Sequence, residues 1–197
     1  MANLSKHEQP ERHLIRKLTL SALLTALIAI LAQVAVPLPF SPVPFTGQVV
    51  GVLLAGLLLG KRAAVLSVTA YLLLGAAGAP VFSLARGGLY MLTGPTGGYL
   101  WGFIPAVYCA ALIIEGNQPP SIYRAAAAML VALTLIYIFG AAQLSLIMGY
   151  NPSQTIAVGV IPFLPLDLLK AALSVFLGKQ VYKTLQQNNM GHILENR

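Results

Sequence analysis

The chain has 197 residues, of which 57% are hydrophobic and 9% charged, with a formal net charge of +7 and a mean hydropathy of +0.79. A soluble domain carries about 25% charged residues, so this composition cannot clothe a water-exposed surface and reads as an integral membrane protein. The basic residues are dealt out among loops and tails, which excludes a single nucleic-acid-binding patch and fits orientation signals instead.

Residues 1–17 are polar, carry Lys6, Arg12, Arg16 and Lys17, and predict a cytoplasmic N-terminal tail. No small-x-small cleavage site ends the apolar run that follows, so a removed secretory signal is not expected. Residues 18–36 predict the first span, in which Ala22 and Ala26 stand four apart and let another helix backbone come close. The run PLPFSPVP at 37–44 predicts a proline-rich turn that ends this span. Residues 46–59 form a short second span, with Gly47/Gly51 and Gly56/Gly60 at GxxxG spacing. Gln48, at its outer end, suits either a ligand contact or an interhelical hydrogen bond.

Lys61 and Arg62 mark a cytoplasmic turn before a third span at 63–77. Residues 78–95 are too long for a turn and too polar for a span, yet hold enough apolar side chains to predict a folded external lid carrying Arg86 and Tyr90. The GPTGG run at 94–98 lacks the Lys-Ser/Thr ending of a phosphate loop, so the chain is not expected to hydrolyse nucleotide; it reads as a close-packed loop-to-helix junction. Spans four, five and six are predicted at 97–114, 125–148 and 161–183, separated by a polar turn at 115–124 and an uncharged outer loop at 149–159. Residues 184–197 form a second tail.

The expected architecture is therefore all-α, one transmembrane domain of six helices over 18–183 between two cytoplasmic tails. With both termini inside, ten of the twelve basic residues are cytoplasmic, leaving Arg86 outside and Lys170 within the membrane.

Asp167 and Lys170 are the charges that demand a reason. Three residues apart on a helix, they share one face. At membrane depth each costs about 2.5 to 3.5 kcal/mol, so they are expected to face protein or a watery cavity, either as a ligand site or as a structural ion pair. Counted from residue 161, they lie about 9 Å and about 14 Å into the membrane, in its outer half. A carboxylate beside cations suits a small ligand with N–H groups and an acid or carbonyl, its apolar part packed by side chains such as Phe82, Tyr90, Tyr99 and Trp101. Cys109 is single, and His7, His13 and His192 all lie in the tails, so neither a disulfide, nor a metal site, nor a Ser-His-Asp or Cys-His catalytic arrangement is expected.

Three stretches carry a resemblance: PVPFTGQVVGVLLAGLLLG (42–60), GAPVFSLARGGLYMLTGPTGGYLWGF (78–103) and PFLPLDLLKAAL (162–173). In order and spacing they resemble the signature stretches of the BioY family, the biotin-binding S components of energy-coupling-factor (ECF) transporters. The resemblance implies a six-helix protein that captures biotin outside and passes it inward with a transmembrane coupling (T) subunit and a pair of ABC-type ATPases. It assigns Asp167 and Lys170 to the biotin site, with Arg86, Tyr90 and Gln48 as further candidates, and Ala22 and Ala26 to docking on the coupling subunit. No metal or cofactor is implied beyond biotin as transported ligand. Gln143 departs from the family's pattern, where a tryptophan is expected. Another small vitamin as ligand, or a self-sufficient secondary transporter, are the alternatives; a vitamin panel and uptake by the purified chain in liposomes separate them.

Overall fold

A computed structural model describes residues 8–116 and 120–188, with side chains from residue 15 onward. The sequence readings of Lys6, His7, His192 and Arg197 fall outside the described residues, as do those of the Arg12 and His13 side chains.

In chain order the elements are α1 (Glu8–Gln33), β1 (Ala35–Leu38), β2 (Ser41–Thr46), α2 (Gln48–Leu58), α3 (Lys61–Ala76), a 3-10 turn (Ser83–Ala85), α4 (Tyr90–Thr93), α5 (Gly97–Ile114), α6 (Ile122–Met148), α7 (Pro152–Gly159) and α8 (Leu164–Gln187). The centre is α2, all of whose 11 residues are buried, with α1, α3, α5 and α8 packed around it. It has no polar face because it has no solvent-facing side. Glycines admit the close approaches: a Cβ at Gly51 would meet the Ile28 backbone of α1, and one at Gly56 would meet Ala110 of α5 at 2.8 Å.

Three helical stretches are long and apolar enough to cross a membrane: Ile15–Gln33, Gly97–Ile114 and Ile122–Met148. A fourth arises if α7 and α8, bent by 51° at a short break, count as one span. At 11 residues α2 is about 16 Å long, less than the roughly 30 Å hydrocarbon thickness. Large apolar side chains such as Leu130, Ile138 and Leu146 lie exposed along α6, as a lipid-facing helix requires. The chain is a mostly helical membrane protein.

Three local readings change. The proline run is not a turn but an antiparallel hairpin, with Ala35 opposite Thr46, Val36 opposite Phe45, and an irregularity at Pro37. Pro37, Pro42 and Pro44 are tolerated because each strand of a two-stranded ribbon has an unpaired side where a missing N–H costs nothing. The first helix accordingly ends at Gln33. The outer loop at 149–159 contains α7, opened by a capping box in which Asn151 Oδ1 accepts from Gln154 N (2.9 Å) and Gln154 Oε1 accepts from Asn151 N (3.1 Å). Finally, the last helix starts at Leu164 rather than 161, which puts Asp167 in its first turn.

The segment 78–95 folds into the 3-10 turn and α4. Phe82 is its anchor, fully buried and edge-on to Tyr71 with ring centroids 5.4 Å apart. At the GPTGG run, a Cβ on Gly97 would strike the Leu92 carbonyl and one on Gly98 the Phe139 carbonyl, so this is a close-packed junction between α4, α5 and α6.

Candidate functional site

The site is built on the first turn of α8, where Pro165 pre-sets the helical φ and the unpaired N–H groups favour a carboxylate. Asp167 Oδ1 accepts from Lys170 Nζ at 2.7 Å and Asp167 Oδ2 accepts from Tyr137 Oη at 2.6 Å. Lys170 Nζ also donates to the Thr46 carbonyl at 2.7 Å and lies 3.8 Å from the centroid of the Phe45 ring. The two side chains are only 7% and 10% exposed. Burying charge is tolerable only when each charged group is paired and hydrogen-bonded, and here helix α6 and the end of the hairpin supply the extra partners.

Across from the pair, Gln48 opens α2 and donates from Nε2 to Tyr71 Oη at 2.7 Å. Its Oε1 accepts from Thr46 Oγ1 at 3.4 Å. With its amide donated to Tyr71 and one lone pair in the long bond from Thr46, the Gln48 carbonyl oxygen keeps its other lone pair for a ligand N–H.

Between these groups lies an open pocket of about 610 Å³, solvent at its mouth included. Its polar lining includes Gln48, Ser83, Tyr137, Asp167 and Lys170; Phe103 and Phe163 are among its apolar walls. This mixture, a mainly apolar cleft with a few convergent polar groups, is the usual make-up of a small-molecule site.

The structure thus brings Asp167, Lys170 and Gln48 together, with Phe82 and Tyr99 also on the wall. Arg86 and Tyr90 are exposed on the lid segment and do not line the pocket. Trp101 also stays off the wall, donating Nε1 to the Leu92 carbonyl at 3.1 Å. Gln143 clamps the 78–95 segment, its Nε2 donating to the carbonyls of Leu92 (2.9 Å) and Gly94 (2.7 Å). Tyr137, Thr46 and Ser83 are pocket residues that sequence reading missed. For Tyr137 a signal existed: a phenol in the middle of an apolar run needs a hydrogen-bond partner inside the protein.

On α1 the small residues divide by face. Ser21 and Thr25 are buried and donate to the Ala63 (3.1 Å) and Ser67 (2.8 Å) carbonyls of α3, whereas Ala22 and Ala26 are exposed. Among the described residues there is no cluster of three or more His, Cys, Asp or Glu side chains that could hold a metal ion.

The family model for the BioY family matches residues 3–187, nearly the whole chain. The chain belongs to the BioY family. It is 37% identical over 169 residues to the biotin transporter BioY of Thermotoga maritima, covering 86% of this chain and 97% of that one. It is 35% identical over 174 residues to the biotin transporter BioY of Rhizobium etli, covering 84% of this chain and 92% of the relative. A solved structure described as the S-component for biotin from an ECF-type ABC transporter superposes with a TM-score of 0.79 at 28% identity, covering 93% of this chain and 95% of that one. The fold shared with that structure is the one that seats Asp167, Lys170 and Gln48 in one pocket here.

Proposed function

We propose that this chain is the biotin-capturing S component of an ECF transporter, a transport protein and not an enzyme. The observation that carries the reading is the buried Asp167–Lys170 pair walling an open, largely apolar pocket in a BioY-family chain. Biotin offers two ureido N–H donors, a carbonyl, an apolar bicycle and a carboxylate. Asp167 and the Gln48 carbonyl oxygen are the acceptors for N–H groups, and Lys170 is the donor nearest them for a carbonyl or carboxylate oxygen. Phe103, Phe163 and Tyr99 pack the bicycle. Arg86 and Tyr90, on the lid segment that also carries Ser83, are second candidates that engage once the lid moves inward.

In this reading the helices form six spans of a multi-pass protein in the bacterial plasma membrane, both termini cytoplasmic, with the pocket facing outward. Uphill uptake needs an energy source, and the GPTGG run has no phosphate-loop lysine, so energy comes from a T subunit and an ABC-type ATPase pair. The exposed Ala22/Ala26 face of α1 is where a partner helix can approach closely.

The test is biotin binding by the purified chain in nanodiscs, followed by uptake in liposomes with and without the energising subunits. One-to-one binding, with ATP-driven uptake only when the partners are present, is expected. Failure to bind biotin while another vitamin binds, or gradient-driven uptake by the chain alone, overturns the reading. Ala22→Leu with Ala26→Leu leaves biotin binding intact and abolishes co-purification with the T subunit.

A further inference from the structure

The segment 78–95 reaches the pocket wall through a strap, residues 82–86, of which Phe82 and Ser83 line the pocket and whose backbone is strained. Leu84 has φ 60° and ψ 37°, and Ala85 has φ 53°, a left-handed conformation that side-chain-bearing residues rarely adopt. Such a conformation persists only when its surroundings over-determine it. On the inner side Phe82 does this, buried between Tyr71 and Gly75, its N–H donating to the Arg86 carbonyl at 2.9 Å.

On the outer side the only side chain bonded to the strap, among the described residues, is that of Gln33, the last residue of α1. Gln33 Oε1 accepts from Ala85 N at 3.0 Å. Its Nε2 donates to the Ala29 carbonyl at 3.0 Å, which fixes the amide on its own helix, and reaches the Pro80 and Phe82 carbonyls at 3.4 Å. Gln33 itself is exposed and does not line the pocket. Between the two anchors sits Ser83, 7% exposed and on the pocket wall, whose hydroxyl makes no hydrogen bond among the described residues.

We propose that Gln33 is a positioning residue of the ligand pocket: its amide holds the strap in the strained turn that presents the Ser83 hydroxyl to the ligand. The proposal rests on the biotin reading for the identity of that ligand, but the strap's dependence on Gln33 does not. An acceptor at position 33 is what the Ala85 N–H requires. A glutamate keeps that acceptor but loses the Nε2 donor to the Ala29, Pro80 and Phe82 carbonyls, so it holds the strap only in part, whereas an alanine releases it. Glycine at position 85 accepts positive φ without strain, so it removes the Ala85 share of the strain that the Gln33 bond offsets, leaving that of Leu84.

The experiment uses the purified full chain in nanodiscs and reads two quantities, ligand-free amide exchange of a peptide spanning 82–88 and biotin affinity. Gln33→Ala speeds strap exchange at least tenfold and weakens biotin five- to tenfold, while Gln33→Glu, which keeps the acceptor and loses the donor, falls between wild type and Gln33→Ala on both. Ala85→Gly added to Gln33→Ala restores affinity by at least twofold over Gln33→Ala alone. Ser83→Ala weakens binding in the wild-type background but adds nothing to Gln33→Ala, as expected of two residues acting through one contact. Unchanged strap exchange in Gln33→Ala, or weakened binding that Ala85→Gly does not restore, overturns the proposal. If wild type binds no biotin while Gln33→Ala still speeds strap exchange, the biotin reading falls and Gln33's hold on the strap stands.

Discussion

Among the described residues are two ion pairs of the same length in opposite surroundings. Lys61 Nζ and Glu115 Oε2 are 2.7 Å apart where the start of α3 meets the end of α5, with side chains 36% and 34% exposed. Lys170 Nζ and Asp167 Oδ1 are also 2.7 Å apart, at 10% and 7% exposed. Distance therefore says nothing about what either pair does; solvation does. Water and salt screen the first, so it contributes at most about 1 kcal/mol, and its neighbour Arg124 reinforces the same corner by donating to the Ile113 and Glu115 carbonyls. The second pair has lost its water and has replaced it with the Tyr137 hydroxyl, the Thr46 carbonyl and the Phe45 ring. Those replacements come from helix α6 and the hairpin, so the buried pair also joins three parts of the fold at the pocket wall.

The sharpest way to break the contrast is to remove one partner of each pair. Asp167→Asn leaves the Lys170 ammonium buried without its counter-charge, which costs about 3–5 kcal/mol where a buried pair is broken. Biotin affinity is expected to fall at least tenfold by isothermal titration, about 1.4 kcal/mol, and an unchanged affinity refutes the assignment of Asp167.

A double replacement sharpens it. Asp167→Leu with Lys170→Met removes both desolvation costs at once, so thermal stability in detergent is expected to equal or exceed that of Asp167→Asn while biotin binding stays lost. A double variant less stable than the single one would show that the pair holds the fold together rather than serving a ligand.

Smaller effects follow. Tyr137→Phe deletes one hydroxyl that donates to Asp167 and keeps the ring. Affinity is expected to drop about fivefold, near 1 kcal/mol, the typical net scale of a single hydrogen bond. Glu115→Gln is the smallest: biotin affinity is unchanged and the melting temperature moves by no more than about 2–4 °C. That shift should vanish in 1 M salt, where the screening length is about 3 Å.

Some of this was readable from residue order. Asp167 and Lys170 stand out because ionisable groups amid leucines have few physical excuses, and Gln48 stands out for the same reason at the head of a glycine-spaced apolar run. That the 78–95 segment folds was legible from its many apolar residues, and Phe82, fully buried, is the reason it is not loose. Pro37–Pro44 misled because proline signals a stop but does not distinguish a turn from an edge-tolerant strand. The sequence also carried the Asn151-Pro152-Ser153-Gln154 capping pattern of α7, overlooked because the segment's lack of charge drew it into a loop. Tyr137 went unassigned since its partner lies 30 residues away in the chain.

Residue order alone determined that the chain is a helical membrane protein, where its unusual charges lie, and which family pattern it follows, because hydropathy and motif spacing are local properties. Only the tertiary structure decided that Tyr137 and the hairpin carbonyl complete the Asp167–Lys170 pair, that Arg86 and Tyr90 sit off the pocket wall, and that Gln33 braces the strap. Those facts depend on which backbone and side-chain atoms distant segments place within about 3 Å of one another, and no one-dimensional pattern records that distance.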